Sequence, residues 1–156
     1  ISFQEFKQGL ENQKIEYVEM DTKPSPLNAI LWSSLIETDK GYRTAYYSLF
    51  DKQEITYSKE FLKNHHLLEP YLEKKVIKQL IDISAGWYRI EEKNGKLLFW
   101  DLRFGQMGMD VNNASFLWYY ELNIDKTGNV KAVKRQPEIK NFKMVFKELF
   151  NRIKGN

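Results

Sequence analysis

The chain has 156 residues, no cysteine, and a net charge of +3 from 24 Lys+Arg against 21 Asp+Glu. That length suits one domain with a core of its own. The lack of cysteine excludes disulfides and thiolate metal sites, and so even a charge balance offers no massed basic face for nucleic acid. No apolar run reaches the ~20 residues of a membrane helix, and nothing at the N-terminus reads as a signal peptide. A chain starting at Ile1, directly in a helical pattern, reads as a piece trimmed or processed from a larger protein.

Residues 2–12 pattern as an amphipathic helix, with Ser2 as N-cap and Phe3, Phe6 and Leu10 on one stripe. Ile15–Met20 alternates as a short strand, which Pro24 and Pro26 should end because neither can donate to a ladder. A long strand over Ala29–Thr38 and a returning strand over Tyr42–Phe50 flank the turn Asp39-Lys40-Gly41, where Gly41 is expected to supply a positive φ. Glu54–Tyr57 would make this a three-stranded meander, followed by an irregular Ser58–Leu68.

Pro70–Ser84 is the clearest internal helix, with Leu72, Val76, Leu80 and Ile83 on one stripe, widened by Ile77 and Ile81, and Gly86 as the stop. Trp87–Glu92, Asn94-Gly95 and Lys96–Arg103 give a hairpin signal, since Asn-Gly suits a type I′ turn. A Gly-containing excursion over Phe104–Asn113 leads to strands at Ser115–Ile124 and Val130–Arg135. After Pro137, residues Phe142, Val145, Phe146, Leu149, Phe150 and Ile153 mark the apolar face of a C-terminal helix, with Phe142, Phe146 and Phe150 expected in the core. The expected class is α+β: a mainly antiparallel sheet of about 6–8 strands, with an N-terminal, an internal and a C-terminal helix packed on it. The Ala29–Phe50 and Trp87–Arg103 hairpins should share that sheet, in one domain over residues 1–156.

Few groups are placed for chemistry. Asp101 and Arg103 stand two apart in a strand and so share a face. They suit an ion pair that braces the sheet, or an arginine reading a small anionic ligand by its fork of donors. Glu37, Asp39 and Arg43 gather at the first hairpin's tip, where the carboxylates are expected to be solvated and Asp39 to form the turn. Asn28 and Trp32 follow two prolines at a rigid strand entry. His65 and His66 are the only histidines, and adjacent imidazoles lack metal-pair spacing. There is no phosphate loop, nucleophile elbow or His-Glu-x-x-His. The binding candidates are Arg103, Asp101, Trp32, Asn28 and Arg43, with no catalytic residue and no metal ligand assigned.

Two stretches carry a resemblance: Pro24–Asp51, PSPLNAILWSSLIETDKGYRTAYYSLFD, and Trp100-Asp101-Leu102-Arg103-Phe104-Gly105. Pro24, Pro26, Leu27, Asn28 and Trp32 fit Pro-x-Pro-Leu-Asn-x-x-x-Trp. Thr38, Asp39, Gly41 and Tyr42 fit Thr-Asp-x-Gly-Tyr, and Tyr46, Tyr47, Ser48, Leu49 and Asp51 fit Tyr-Tyr-Ser-Leu-x-Asp. Asp101, Leu102, Arg103 and Gly105 complete the pattern, after which agreement weakens over Gln106–Asn113. Together they resemble the soluble C-terminal region of bacterial inner-membrane, metal-dependent hydrolases. The resemblance implies an extramembrane accessory domain, itself without cofactor and not catalytic. A divalent metal would be held in the parent's membrane portion, which would also be this domain's partner. The fragment would be soluble but tethered to the bacterial inner membrane in its parent.

From another class comes a ligand- or partner-binding module, using an aromatic sheet face and Arg103. A self-contained hydrolase built on Glu37, Asp39 or Asp101 would lack a nucleophile or metal set.

Overall fold

The computed structural model describes residues 2–25, 28–113, 116–139 and 141–156. Among them, eight strands form two separate four-stranded sheets, the first four strands in one and the last four in the other, each in chain order. The class is α+β. The two expected hairpins both form, but each in its own sheet, and the chain divides into two compact units. The first comprises Ile1–Phe61, Gly108–Ala114 and Ile139–Asn156, and the second Leu62–Met107 and Ser115–Glu138.

The first unit opens with helix α1 (Ser2–Asn12), whose Phe6 and Leu10 are buried while Phe3 is exposed. Strand β1 runs over Glu19–Pro24, later than the Ile15–Met20 strand read from alternation. Pro24 ends β1 from within the ladder, opposite Trp32. It is tolerated because β1 is an edge strand, where a missing donor costs little. Strands β2 (Leu31–Glu37) and β3 (Gly41–Ser48) pair antiparallel, Ser34 opposite Ala45.

Their turn does not place Gly41 at positive φ. The Thr38 hydroxyl instead accepts from the Gly41 N–H at 3.0 Å, and the Thr38 N–H donates to the Gly41 carbonyl at 2.9 Å. The expected third strand at Glu54–Tyr57 is only a bridge from Tyr57 to Ala45. The short β4 (Phe61–Leu62) completes the sheet.

Alternation gives this sheet two working faces. Trp32, Ile36, Ala45 and Tyr47 lie on one, packed with Phe6 and Leu10 of α1. Tyr57 is seated against α1 by its hydroxyl, which donates to the Phe6 carbonyl at 2.7 Å. Tyr42, Thr44, Tyr46 and Ser48 lie buried on the other face. That face takes the 108–113 loop and helix α3 (Phe142–Ile153) through side-chain hydrogen bonds.

The expected burial of Phe142, Phe146 and Phe150 is overturned: they are 60%, 49% and 61% exposed. The half-buried residues of α3 are Val145, Leu149, Arg152 and Ile153. A polar anchor at Arg152 decides which side faces the sheet, and this rotates the phenylalanine row outward. Phe146→Ala should therefore change stability by less than about 1 kcal/mol in a denaturant melt, far below the cost of emptying a core site.

In the second unit, a 3₁₀ helix (His65–Tyr71) containing Pro70 precedes α2 (Lys75–Ile83), so the expected Pro70–Ser84 helix starts later. Pro70 suits the tight turn better than a helix interior. Ile77 and Leu80 are buried, whereas Ile83 is exposed. The hairpin of β5 (Tyr88–Lys93) and β6 (Lys96–Gln106) turns at Asn94 and Gly95, with φ of 52° and 74°, as a type I′ turn demands. Strands β7 (Phe116–Ile124) and β8 (Val130–Arg135) continue the meander. Tyr88, Ile90, Phe99 and Leu122 form the core, with Leu68, Ile77 and Leu80 across from them.

Candidate functional site

Arg103 and Asp101 lie together in the second unit, as their spacing implies. The ladder between β6 and β7 is regular up to Asp101 opposite Trp118 and then shifts before Gln106. Gly105, at φ 85°, falls inside that irregularity, where a bulge locally re-aims side chains. Arg103 turns back on its own strand: Nε donates to Asp101 Oδ1 at 3.0 Å and Nη2 to Oδ2 at 2.8 Å. The Arg103 backbone N–H donates to the same carboxylate at 3.1 Å. The Asp101 side chain is 3% exposed and that of Arg103 31%. Hydrogen bonding to Asp101 raises the Arg103 pKa above its ordinary value, against the pull of burial.

A partly exposed row extends from this pair. The Arg103 guanidinium lies over the Phe104 ring at 4.9 Å. Phe104 meets Trp118 edge-on at 6.5 Å, and Lys134 Nζ sits 4.1 Å above the Trp118 ring. Cation, ring, ring, cation is an arrangement that attracts flat or anionic groups. Sequence reasoning found Arg103 but missed Trp118 and Lys134, because only the β6-β7-β8 register brings them alongside.

The other candidates belong to the first unit and are used locally. Asn28 Oδ1 accepts from the N–H groups of Ile30 and Leu31, at 3.1 and 2.7 Å, and so fixes the entry to β2. Trp32 donates through Nε1 to the Ala29 carbonyl. Arg43 Nη1 donates to the Ser58 carbonyl at 2.6 Å. At the hairpin tip, Thr38 donates to Glu60 at 2.5 Å.

The residue pair that sequence reasoning missed outright is Asp51–Arg152. Arg152 Nη1 and Nη2 donate to the two Asp51 oxygens, each at 2.6 Å, and Nη2 also donates to the Tyr46 carbonyl. Its only sequence signal was that Asp51 closes the Tyr-Tyr-Ser-Leu-x-Asp match.

An open groove of about 640 Å³ in the second unit runs between the 3₁₀ helix and the ends of β5, β6 and β7, past His66, Tyr71, Glu92, Lys96 and Asn123. His65 Nδ1 is hydrogen-bonded to the Tyr88 hydroxyl at 2.5 Å. Among the described residues, no three His, Asp or Glu side chains converge as a metal would require. We expect the purified chain to retain no stoichiometric zinc after dialysis. Zinc that stays, and is lost in His65→Ala or His66→Ala, would reverse that expectation.

No family model, no curated protein and no solved structure matches the chain. Among the described residues, no helix is long and apolar enough to cross a membrane.

Proposed function

We propose that this chain is an extramembrane accessory domain of a larger, membrane-bound metal-dependent hydrolase, the metal being held by the membrane portion. The observation that carries this reading is the use of the matched residues. Asn28 fixes a strand entry, Thr38 ties a turn, and Tyr42, Tyr46 and Ser48 are buried on the sheet face that receives α3. Asp51 clamps α3, and Asp101 holds Arg103. A motif whose polar members are spent on building the fold supports a presenting or bracing role, with the chemistry carried elsewhere in the parent.

The full reading frame tests it. Membrane helices bearing His and Asp should precede residue 1, and removing residues 2–156 should leave the parent's metal content intact while impairing turnover. A frame without such helices, or metal-dependent hydrolysis by these residues alone, would overturn the proposal.

A second reading is favoured by the Arg103–Phe104–Trp118–Lys134 row: a module that binds an amphipathic anion on its aromatic face. Under that reading, indole fluorescence should respond to aromatic carboxylates in the unsubstituted chain and not in Trp118→Ala.

A further inference from the structure

We infer that α3 is an interfacial helix, which lays its phenylalanine row on an anionic lipid bilayer. Phe142, Phe146 and Phe150 recur at four-residue spacing and so line one side of the helix. All three are exposed, as is Met144. Such a continuous aromatic row on a small unit calls for a covering surface.

The charges say which surface. Lys143, Lys147 and Lys154 form the next row round the helix, directly flanking the phenylalanines. Glu148, the helix's one acidic residue, lies beside Gly108 on the opposite flank. The apolar side is thus bordered by cations, the pattern of helices that lie in the headgroup region of negatively charged membranes. A second copy packed helix to helix would bring the same basic row, and α3 has no acidic row to meet it.

The anchored side is equally well defined. Arg152 is locked to Asp51, and Ser48 donates its hydroxyl proton to the Ile153 carbonyl at 2.6 Å. The outward direction of the row is therefore fixed by the fold. The Asp51 clamp also holds the preceding turn against the helix's C-terminal end, where Lys52 donates to the Asn156 carbonyl. That turn carries a second exposed apolar pair, Leu49 and Phe50. The inference does not rest on a membrane-bound parent, since the whole argument lies in this chain's own helix and turn.

The test is flotation of the purified chain with vesicles of phosphatidylcholine, with and without phosphatidylglycerol, at low and high salt. Binding should require phosphatidylglycerol and weaken as salt rises. Lys143→Gln and Lys147→Gln should each weaken it about fivefold. Phe146→Ser combined with Phe150→Ser should abolish it, while Phe146→Leu retains it. These side chains are exposed, so thermal melts of the variants should match the parent chain. Failure to float with anionic vesicles overturns the inference, as does binding indifferent to the phenylalanine substitutions. A dimer in sedimentation that dissociates in Phe146→Ser would assign the row to a second copy instead, and would equally overturn it.

Discussion

Arg152→Ala should destabilise the first unit by about 3–5 kcal/mol, the cost of removing one partner from a buried ion pair. The Asp51 side chain is 3% exposed and that of Arg152 15%, so little water is at hand to replace the guanidinium. Asp51 also accepts from the Ser48 and Asn156 N–H groups, each at 2.9 Å. Losing Arg152 would leave a charged acceptor with half its donors, and would remove the bond from the end of α3 to the Tyr46 carbonyl of β3. Replacing both members by apolar residues should cost less than Arg152→Ala alone, since no buried charge would then remain.

The same clamp predicts acid lability. Burial by itself raises the Asp51 pKa. The Arg152 hydrogen bonds, the Ser48 amide, the Arg152 charge and the Asn156 amide outweigh it and hold the carboxyl below its ordinary 3.8. A folded-state value below the unfolded one contributes stability that is complete above the unfolded pKa, and lost as pH falls through the folded one. Chemical melts of the parent chain should therefore weaken on descending below pH ~4, and Arg152→Ala should show a shallower acid limb. An identical acid limb in the two proteins would show that Asp51 is not the group responsible.

Periodicity makes the elements legible where a local geometric demand accompanies it. The type I′ turn at Asn94-Gly95 is such a case, because few residue pairs accept two positive φ values. So is α1, whose buried Phe6 and Leu10 stand at four-residue spacing. Reading failed where a polar contact far along the chain made the choice. The apolar pattern of α3 is a stripe about 140° wide at 100° per residue, so pattern alone could not say which edge of it faces the sheet. Arg152, paired with Asp51 at a separation of 101 residues, decided it.

Gly41 failed for a related reason: the Thr38 hydroxyl supplied by its side chain the bond that a left-handed glycine was expected to make possible. The division into two sheets was invisible because each hairpin carries the same alternation whether or not it joins its neighbour. Trp118 and Lys134 met Phe104 only through cross-strand register, a long-range property that sequence spacing does not contain.

Arg103→Ala should cost about 3 kcal/mol, toward the lower end of what breaking a buried pair costs, because the guanidinium is partly exposed and water can enter in its place. Asp101 would keep only the Arg103 backbone N–H among the donors the pair now supplies. Arg103→Lys should recover part of the loss, since an ammonium restores the charge without the fork that grips both oxygens. The pKa of Arg103 is raised by its bond to Asp101, so it stays protonated and no accessible pH should loosen the pair from the arginine side.

Bracing and anion reading part company in one measurement: melting temperature of the parent chain, Arg103→Ala and Asp101→Asn, with and without phosphate or an aromatic carboxylate. The geometry favours bracing, because both Nε and Nη2 already face the Asp101 carboxylate at hydrogen-bond distance. An added anion should then leave the parent's melting temperature unchanged, and Arg103→Ala should melt lower whether anion is present or not. A rise with anion that requires Arg103 would sink the bracing account. It would instead make the Phe104–Trp118 row a binding surface, with Asp101 acting as the internal competitor that a ligand must displace.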